Sequence, residues 1–516
     1  MKSQKSLYRK WAIRIALFLV PIIILPGCTK NFDRMNNNPA GLLTLSAPDL
    51  RSLFPGALVS GLGAGYNETT MMLFAGMYSQ QFAGTSPAQE SHRYVIVQRW
   101  MDIWPNTYVS TMPKLIAIIN QTKGQEPTLN AIARIWKVFT FHRLTDYFGP
   151  IPYFSIGKDT PVVAYDSQKD IYYDFFKELD EASSDLKNNL SMPSFGTKDL
   201  IYGGNNSLWL KFANTLRLRL AIRISNVDPV KAKSEAEAAV AGGVMTDLSD
   251  GAYFKTSADF PNGLNNFQGR PTCRMSATME SLLKGYNDPR LSVYWSPALS
   301  DGQYHGVRDG MTVAQQNLPQ NSLSANSTVG PLYLQSNMTT TPQVAIYASE
   351  AYFLRAEGAL NGWNMGVGTA QQFYEQGIEM SLREHGITDA AVIATYINGT
   401  SLPIAPSNYF PTPPLTDIPV KFSTDPQKER EQIGTQKWLA LFPECHEAWA
   451  EIRRSGYPKF YPLMSSQNPD ISADSMIRRI SFLDREKLAN GPAVTAAVGL
   501  LKGPDNVATP LWWDTH

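Results

Sequence analysis

Only three cysteines, Cys28, Cys273 and Cys445, are spread over 516 residues, too few for a disulfide scaffold. The six histidines are scattered, and no Cys/His cluster has the spacing of a zinc site. Net charge is nearly absent, at +1 with 18% charged residues. A partner rich in phosphate would call for a basic excess, so nucleic acid is not expected. Beyond the N-terminus, no uncharged apolar run reaches the roughly 20 residues that a bilayer-crossing helix takes.

Catalytic signatures are missing as well. There is no G-x-S-x-G elbow and no G-x-x-x-x-G-K-[ST] phosphate loop. His446-Glu447 starts like H-E-x-x-H, but Ala450 stands where the second histidine belongs. Gly61 to Gly65 is glycine-rich, yet Tyr66 takes the place of the last glycine and no strand precedes it, so it reads as a turn between helices. A glycoside hydrolase needs only two suitably spaced carboxylates, and nothing singles out such a pair. No enzyme activity, cofactor or metal is expected.

What is present begins at the start of the chain. Lys2, Lys5, Arg9, Lys10 and Arg14 precede an apolar run from Ile15 to Leu25, which ends on Pro26-Gly27-Cys28. A basic n-region, a short h-region and a small residue before the cut mark a secretory signal peptide. The run is 11 residues long and broken by Pro21, too short to span a bilayer. Leu25, Gly27 and Cys28 resemble the lipobox of bacterial lipoproteins, whose cysteine thiol is acylated. Pro26 departs from that pattern. The expected organisation is a signal peptide over 1–27, lipid attachment at Cys28, a tether over 28–41, and one domain over 42–516. Cys273 and Cys445 then either pair once or lie buried as thiols.

Apolar periodicity along that domain is mostly helical. Helices are expected over Asp49–Ser60, Tyr66–Phe82, Trp104–Asn120, Thr128–Tyr147, the stretch opened by Ser167 and Asp170, and those opened by Ser207 and Asp228-Pro229. His92–Val97 alternates like a short strand or extended loop. Helices resume over Val344–Leu360, Thr369–His385, Gln427–Leu441 and Glu444–Ser455. Segments 251–342 and 400–426 are rich in Asn, Gly, Pro and Ser and are expected to be irregular, with a helix at Thr278–Tyr286. The tail to His516 is loop-rich. Helices of three to five turns on short connections make a mostly α fold, a tetratricopeptide-like scaffold of helical pairs mainly over 42–250 and 343–400, with a large irregular half.

A binding loop for a sugar should mix flat aromatic rings with amides or charges. Three stretches do so. The first offers Arg93, Tyr94, Trp100, Trp104 and Asn106, the second Asn265, Asn266 and Phe267, and the third Tyr304 and Tyr333. Trp100 and Trp104, four apart, suit the buried face of a helix start equally well, and the asparagines also suit turns.

Six further pieces occur in order: Gly76-Met77-Tyr78-Ser79-Gln80; Arg143 to Pro152 with Tyr147-Phe148-Gly149-Pro150; Trp209 to Arg223; Asn287-Asp288-Pro289-Arg290-Leu291; Glu350 to Trp363; and Ile433 to Pro458. Together they resemble the SusD/RagB family of outer-membrane nutrient-binding lipoproteins of the Bacteroidota, over nearly the whole mature chain. Most of these residues look structural, with Glu350 and Glu357 expected to pair with arginines and Arg290 to fix a loop. The resemblance implies a cell-surface lipoprotein that binds an oligosaccharide, less commonly a peptide, and passes it to a partner TonB-dependent transporter of the SusC type. It implies membrane attachment through the lipid alone. A lipid-anchored glycan-degrading enzyme and a helical-repeat scaffold that binds only protein are the rival readings.

Overall fold

The computed structural model describes residues 45–63, 69–158, 162–268, 273–407 and 410–515; the expected signal peptide, Cys28 and the expected tether lie outside the described residues. Helix α1 (Ala47–Leu62) is followed by α2 (Met112–Thr122), α3 (Pro127–Phe148), α4 (Gln168–Asn188), α5 (Asn206–Arg223) and α6 (Pro229–Gly242), and from α2 onward each packs on the next. Later in the chain α7 (Ala277–Gly285), α8 (Ala348–Leu360), α9 (Ala370–Glu384), α10 (Ala390–Ile397), α11 (Pro426–Ala440) and α12 (Cys445–Ser455) follow. Helix α8 pairs with α9 and also packs on α5 and α11, joining the two helical groups. The fold is mostly α, as expected, and segment 251–342 is built largely of single turns.

The punctuation follows local chemistry. Ser167 Oγ accepts from the N–H of Asp170 and opens α4, while Asp228 caps α6 through the N–H of Lys231. Gly149, at φ +81°, stops α3, its N–H donating to Thr145 O at 2.7 Å. Gly61 serves a different need, close approach. A side chain there would meet Trp136 Nε1 at 2.6 Å, and Trp136 instead donates to Ala57 O at 2.9 Å.

Four expectations give way to tertiary context. Val344–Leu360 is not one helix: β4 (Gln343–Ile346) pairs antiparallel with β2 (Ala252–Phe254), and α8 starts only after Tyr347. The β-branched Val344 and Ile346 suit that strand, and the partner lies far back in the chain. In Tyr66–Phe82 the described part holds a π-helical turn over Met71–Ala75 and one α turn over Gly76–Tyr78. Phe82 already belongs to β1 (Phe82–Gly84), paired with β3 (Cys273–Met275). Trp104–Asn120 is helical but shifts to π spacing over Asn106–Thr111, with the Met112 N–H donating to Thr107 O. Pro113 has no N–H to give Val109, and the ladder widens just before it. His92–Val97 is neither strand nor fully extended: a 3₁₀ turn over Glu90–Arg93 ends on Tyr94 at φ +67°. Cys273 and Cys445 are buried thiols, and Cys445 Sγ donates to Gln81 Oε1 at 3.3 Å.

Charges run through the core. Arg219 of α5 forks onto Glu350 of α8 at 2.7 and 2.6 Å, and Arg223 reaches both oxygens of Glu447 of α12 at 2.6 Å. Lys437 of α11 meets Glu451 of α12 at 3.0 Å, and Arg454 holds Glu357 at 2.6 Å. Arg290 grips Asp288 at 2.7 Å in its own loop. The arginine partners expected for Glu350 and Glu357 are thus in place. Burial alone would raise the Glu447 carboxyl, but Arg223, Arg219 and Lys437 outweigh it and hold it below its ordinary range.

Removing one member of such a set strands a buried charge, which costs about 3–5 kcal/mol. Glu447→Ala is expected to lose that much in denaturant unfolding. Lys233→Ala, at an exposed pair with Glu237, should stay within about 0.5 kcal/mol of wild type. Equal losses for the two variants would remove the network from the stability account.

Candidate ligand-binding cleft

Two of the three aromatic-and-amide stretches meet in space. Asn262 Oδ1 accepts from the N–H groups of Leu264 (2.9 Å) and Asn265 (3.2 Å) and opens a short helix, Gly263–Phe267. Its Nδ2 donates to Thr341 O and Pro342 O at 3.2 and 3.3 Å. Asn265 Nδ2 donates to Leu332 O (2.9 Å) and Leu334 O (3.2 Å), which holds the backbone on either side of Tyr333. These side-chain amides satisfy loop carbonyls that no ladder reaches, so irregular chain becomes a fixed wall.

That wall closes a cleft of about 370 Å³ lined by Tyr253, Asn262, Tyr333, Tyr347, Glu384 and His385 among others. Tyr253 comes from β2, Tyr347 from the turn between β4 and α8, and Glu384 and His385 from the C-terminal end of α9. The Tyr253 and Tyr347 rings meet edge to face at 6.0 Å, and Tyr347 donates to Phe442 O at 3.1 Å. Burial pushes the phenols of Tyr253, Tyr333 and Tyr347 up, so all three remain hydroxyls at neutral pH. Glu384 Oε1 accepts from the Ser349 N–H at 3.1 Å, near the start of α8. Desolvation lifts the Glu384 carboxyl to about 7. His385 Nδ1 is 2.7 Å from Ser381 O, which requires the proton on Nδ1. Burial lowers the imidazole to about 4, leaving it neutral. The hydroxyls of Tyr253 and Tyr333, a carboxyl and an imidazole line a cleft of a size and polarity that suit a polyol. No group of three or more metal-ligating side chains occurs among the described residues.

Of the residues expected from sequence, Tyr333 lines this cleft, and Asn265, Asn266 and Phe267 belong to the short helix behind its wall. Asn265 and Phe267 are buried, and Asn266 faces Gln335 at 3.4 Å from its carbonyl. Trp104 lines a separate depression of about 540 Å³ with Tyr108, Pro152, Lys158, Arg485 and Asn490. Trp104 is 6% exposed and wedged against Tyr108 and Phe148 at 4.9 and 5.1 Å. Trp100 is half-buried beside Phe74 and beneath Arg99, and Asn106 is half-buried with its carbonyl accepting from Thr111 Oγ1. Arg93 is buried and donates to Gln467 Oε1 at 2.9 Å, and the Tyr94 hydroxyl donates to Ser475 O at 3.0 Å. These two fasten their turn to the C-terminal segment. Tyr304 is half-buried, its carbonyl accepting from Lys284 Nζ at 2.9 Å.

Tyr253, Tyr347, Glu384 and His385 escaped the sequence reading. Tyr253 and Tyr347 sit at strand positions that only pairing reveals. Glu384 did leave a trace: a carboxylate in the last turn of a helix opposes the helix dipole, a local conflict of the kind that marks functional positions.

Fold and cleft together define a helical-repeat protein with a tyrosine-lined cleft. The family model described as SusD-like, "Susd and RagB outer membrane lipoprotein", matches residues 62–514, and the chain belongs to that family. The fold superposes on a chitin-binding SusD homolog from Flavobacterium johnsoniae with a TM-score of 0.83 and 34% identity, covering 91% of this chain and 99% of that one. A SusD homolog from Bacteroides vulgatus gives 0.83 and 30%, covering 90% and 98%. A SusD-like protein from Bacteroides thetaiotaomicron gives 0.81 and 32%, covering 91% and 99%. No curated protein matches the chain. Among the described residues no helix is long and apolar enough to cross a membrane.

Glu384 generates a pH test. Its carboxyl is lifted in the folded chain, so the stability tied to its protonated form is complete below the ordinary carboxyl range and lost as pH rises through about 7. Glu384→Gln is expected to remove that loss, gaining thermal midpoint on wild type steadily from about pH 5 to about pH 8. Parallel midpoint curves would place the carboxyl in its ordinary range.

Proposed function

We propose that this protein is a cell-surface lipoprotein that captures an oligosaccharide and delivers it to a SusC-type TonB-dependent transporter. The observation that carries the reading is the likeness to a chitin-binding homolog along almost the full length of both chains. The tyrosine cleft supports it, since flat rings suit the C–H faces of a sugar while the Glu384 side chain suits its hydroxyls. A peptide ligand is the weaker variant of the same reading. Cys28 carries the acyl chains in this proposal, and several chains are needed for stable anchorage, since a single one binds membranes only marginally. The lipid keeps the domain beside its transporter, and the protein does no chemistry on the glycan.

Titration with a panel of oligosaccharides by calorimetry tests capture. Tyr253→Ala is expected to weaken the bound glycan on the order of tenfold, the worth of one good aromatic contact. Release of reducing ends from any polysaccharide would favour the rival enzyme. Absence of binding to any glycan or peptide, with a transporter still co-purifying, would favour the scaffold.

Cys28→Ala should move the protein out of the membrane fraction while leaving glycan affinity intact. A mutant that still pellets with membranes after a high-salt carbonate wash would sink the lipid anchor.

A further inference from the structure

The depression beside Trp104 is larger than the tyrosine cleft, about 540 Å³ against about 370 Å³, and lies within the size range of small-ligand sites. Its walls are held in place. The Tyr108 hydroxyl donates to Pro152 O at 2.8 Å, which fastens the π-helical turn to the chain after α3. Asn490 Nδ2 donates to Val163 O at 2.7 Å and fastens that same stretch to the C-terminal segment. Pro105, Tyr108, Val109, Pro152 and Ile156 give the hollow a mostly carbon lining, and Val109 is 72% exposed, open to whatever enters.

Two cations stand at this hollow. Lys158 and Arg485 are exposed lining residues, and neither side chain has a hydrogen bond or ion pair among the described residues. For an arginine of this protein that is unusual. Every other described arginine meets a carboxylate, a carbonyl, an amide oxygen or an aromatic ring. Even the exposed Arg99 lies over the Trp100 ring at 5.1 Å, and the exposed Arg430 donates to Asn361 Oδ1 at 3.0 Å. Glu486, next to Arg485 in the chain, offsets its charge in part, while its own carboxyl accepts from the Tyr165 hydroxyl at 3.4 Å. Partial burial still lowers the Arg485 guanidinium from its ordinary value, because the lost water is not fully replaced by a counterion. What the hollow lacks is an anion.

We propose that this hollow is a second saccharide site, selective for sugars bearing a carboxylate or a sulfate, whose anionic group meets Arg485 and Lys158 while a C–H face lies along Tyr108, Val109 and Pro152. This rests on the capture reading above and adds to it a second site with a charge preference. A guanidinium presents a planar fork of donors that fits either anion. A neutral hydroxyl gains less there, since a hydrogen bond with both partners charged is roughly twice as strong as a neutral one.

Calorimetry on the detergent-solubilised full-length protein at pH 7 and low ionic strength tests it with three trisaccharides of α-1,4-linked galactose units. They differ only at C6, which carries a hydroxymethyl group, a carboxylate or a sulfate ester. The better of the two acidic forms is expected to bind on the order of tenfold tighter than the neutral one, the worth of one charge-assisted hydrogen bond, and the contrast between them tells which anion the site takes. Arg485→Gln should remove the preference without moving the thermal midpoint, since that side chain holds nothing in the fold. Tyr253→Ala, in the other cleft, should leave the preference in place. A preference that survives Arg485→Gln, or that disappears with Tyr253→Ala, would overturn the second site. Equal affinities for all three sugars would overturn it and leave capture standing, whereas no glycan binding at all would overturn both.

Discussion

The ion pairs between α5 and the helices around it are the constraint on which the rest of the molecule depends. Arg219 and Arg223 lie one turn apart on α5, facing Glu350 of α8 and Glu447 of α12. Each is almost fully buried. A greasy contact tolerates a shift of register, but a buried fork of two hydrogen bonds does not, because half a fork leaves an unsolvated charge. The pairs thus join the early helical group to the late one across more than a hundred residues of intervening chain. The two tryptophans beside Arg453 extend the same logic, with its guanidinium 3.5 Å over the Trp449 ring and 5.1 Å from Trp513. There the charge is covered by an aromatic face, and NH1 donates to the carbonyls of Asp146 and Arg478.

A rigid frame of this kind lets the irregular half hold a shape. Segment 251–342 has few long helices or strands, and its backbone groups are met by scattered backbone pairs between distant loops and by amide side chains. Asn262 and Asn265 each bridge their short helix to the chain near Tyr333 and Thr341. The two-stranded sheet of β2 and β4 connects this segment to the start of α8, which the Arg219–Glu350 pair fixes in turn. The cleft therefore sits where loop, sheet and helix end are all tied to the charged core. Its own carboxyl, Glu384, stands outside that ion-pair economy, and this is what gives the cleft its chemical character.

Much of the fold was legible from periodicity and punctuation. Ser167, Asp228 and Gly149 mark helix ends through chemistry confined to a few neighbouring residues, and the structure places them accordingly. The strand Gln343–Ile346 was not legible, because its apolar run continues smoothly into α8 and only pairing with Ala252–Phe254 distinguishes the two. Among the candidate site residues, Tyr333 and the asparagines of the Gly263–Phe267 turn do come together. Trp104 and Arg93 have the right composition for a ligand but spend their surfaces on Phe148, Gln467 and their neighbours. Residue type shows what a side chain is able to bind, and burial decides what it does bind.

The sequence by itself determined the family and the mostly helical architecture, because each rests on patterns read within a few turns of chain. Only the tertiary structure decided which aromatic rings share a cleft, which arginine answers which glutamate, and that Glu384 has no cation partner among the described residues. Those are facts about distance between residues remote in sequence, and solvent access and charge pairing exist only once the chain has closed on itself.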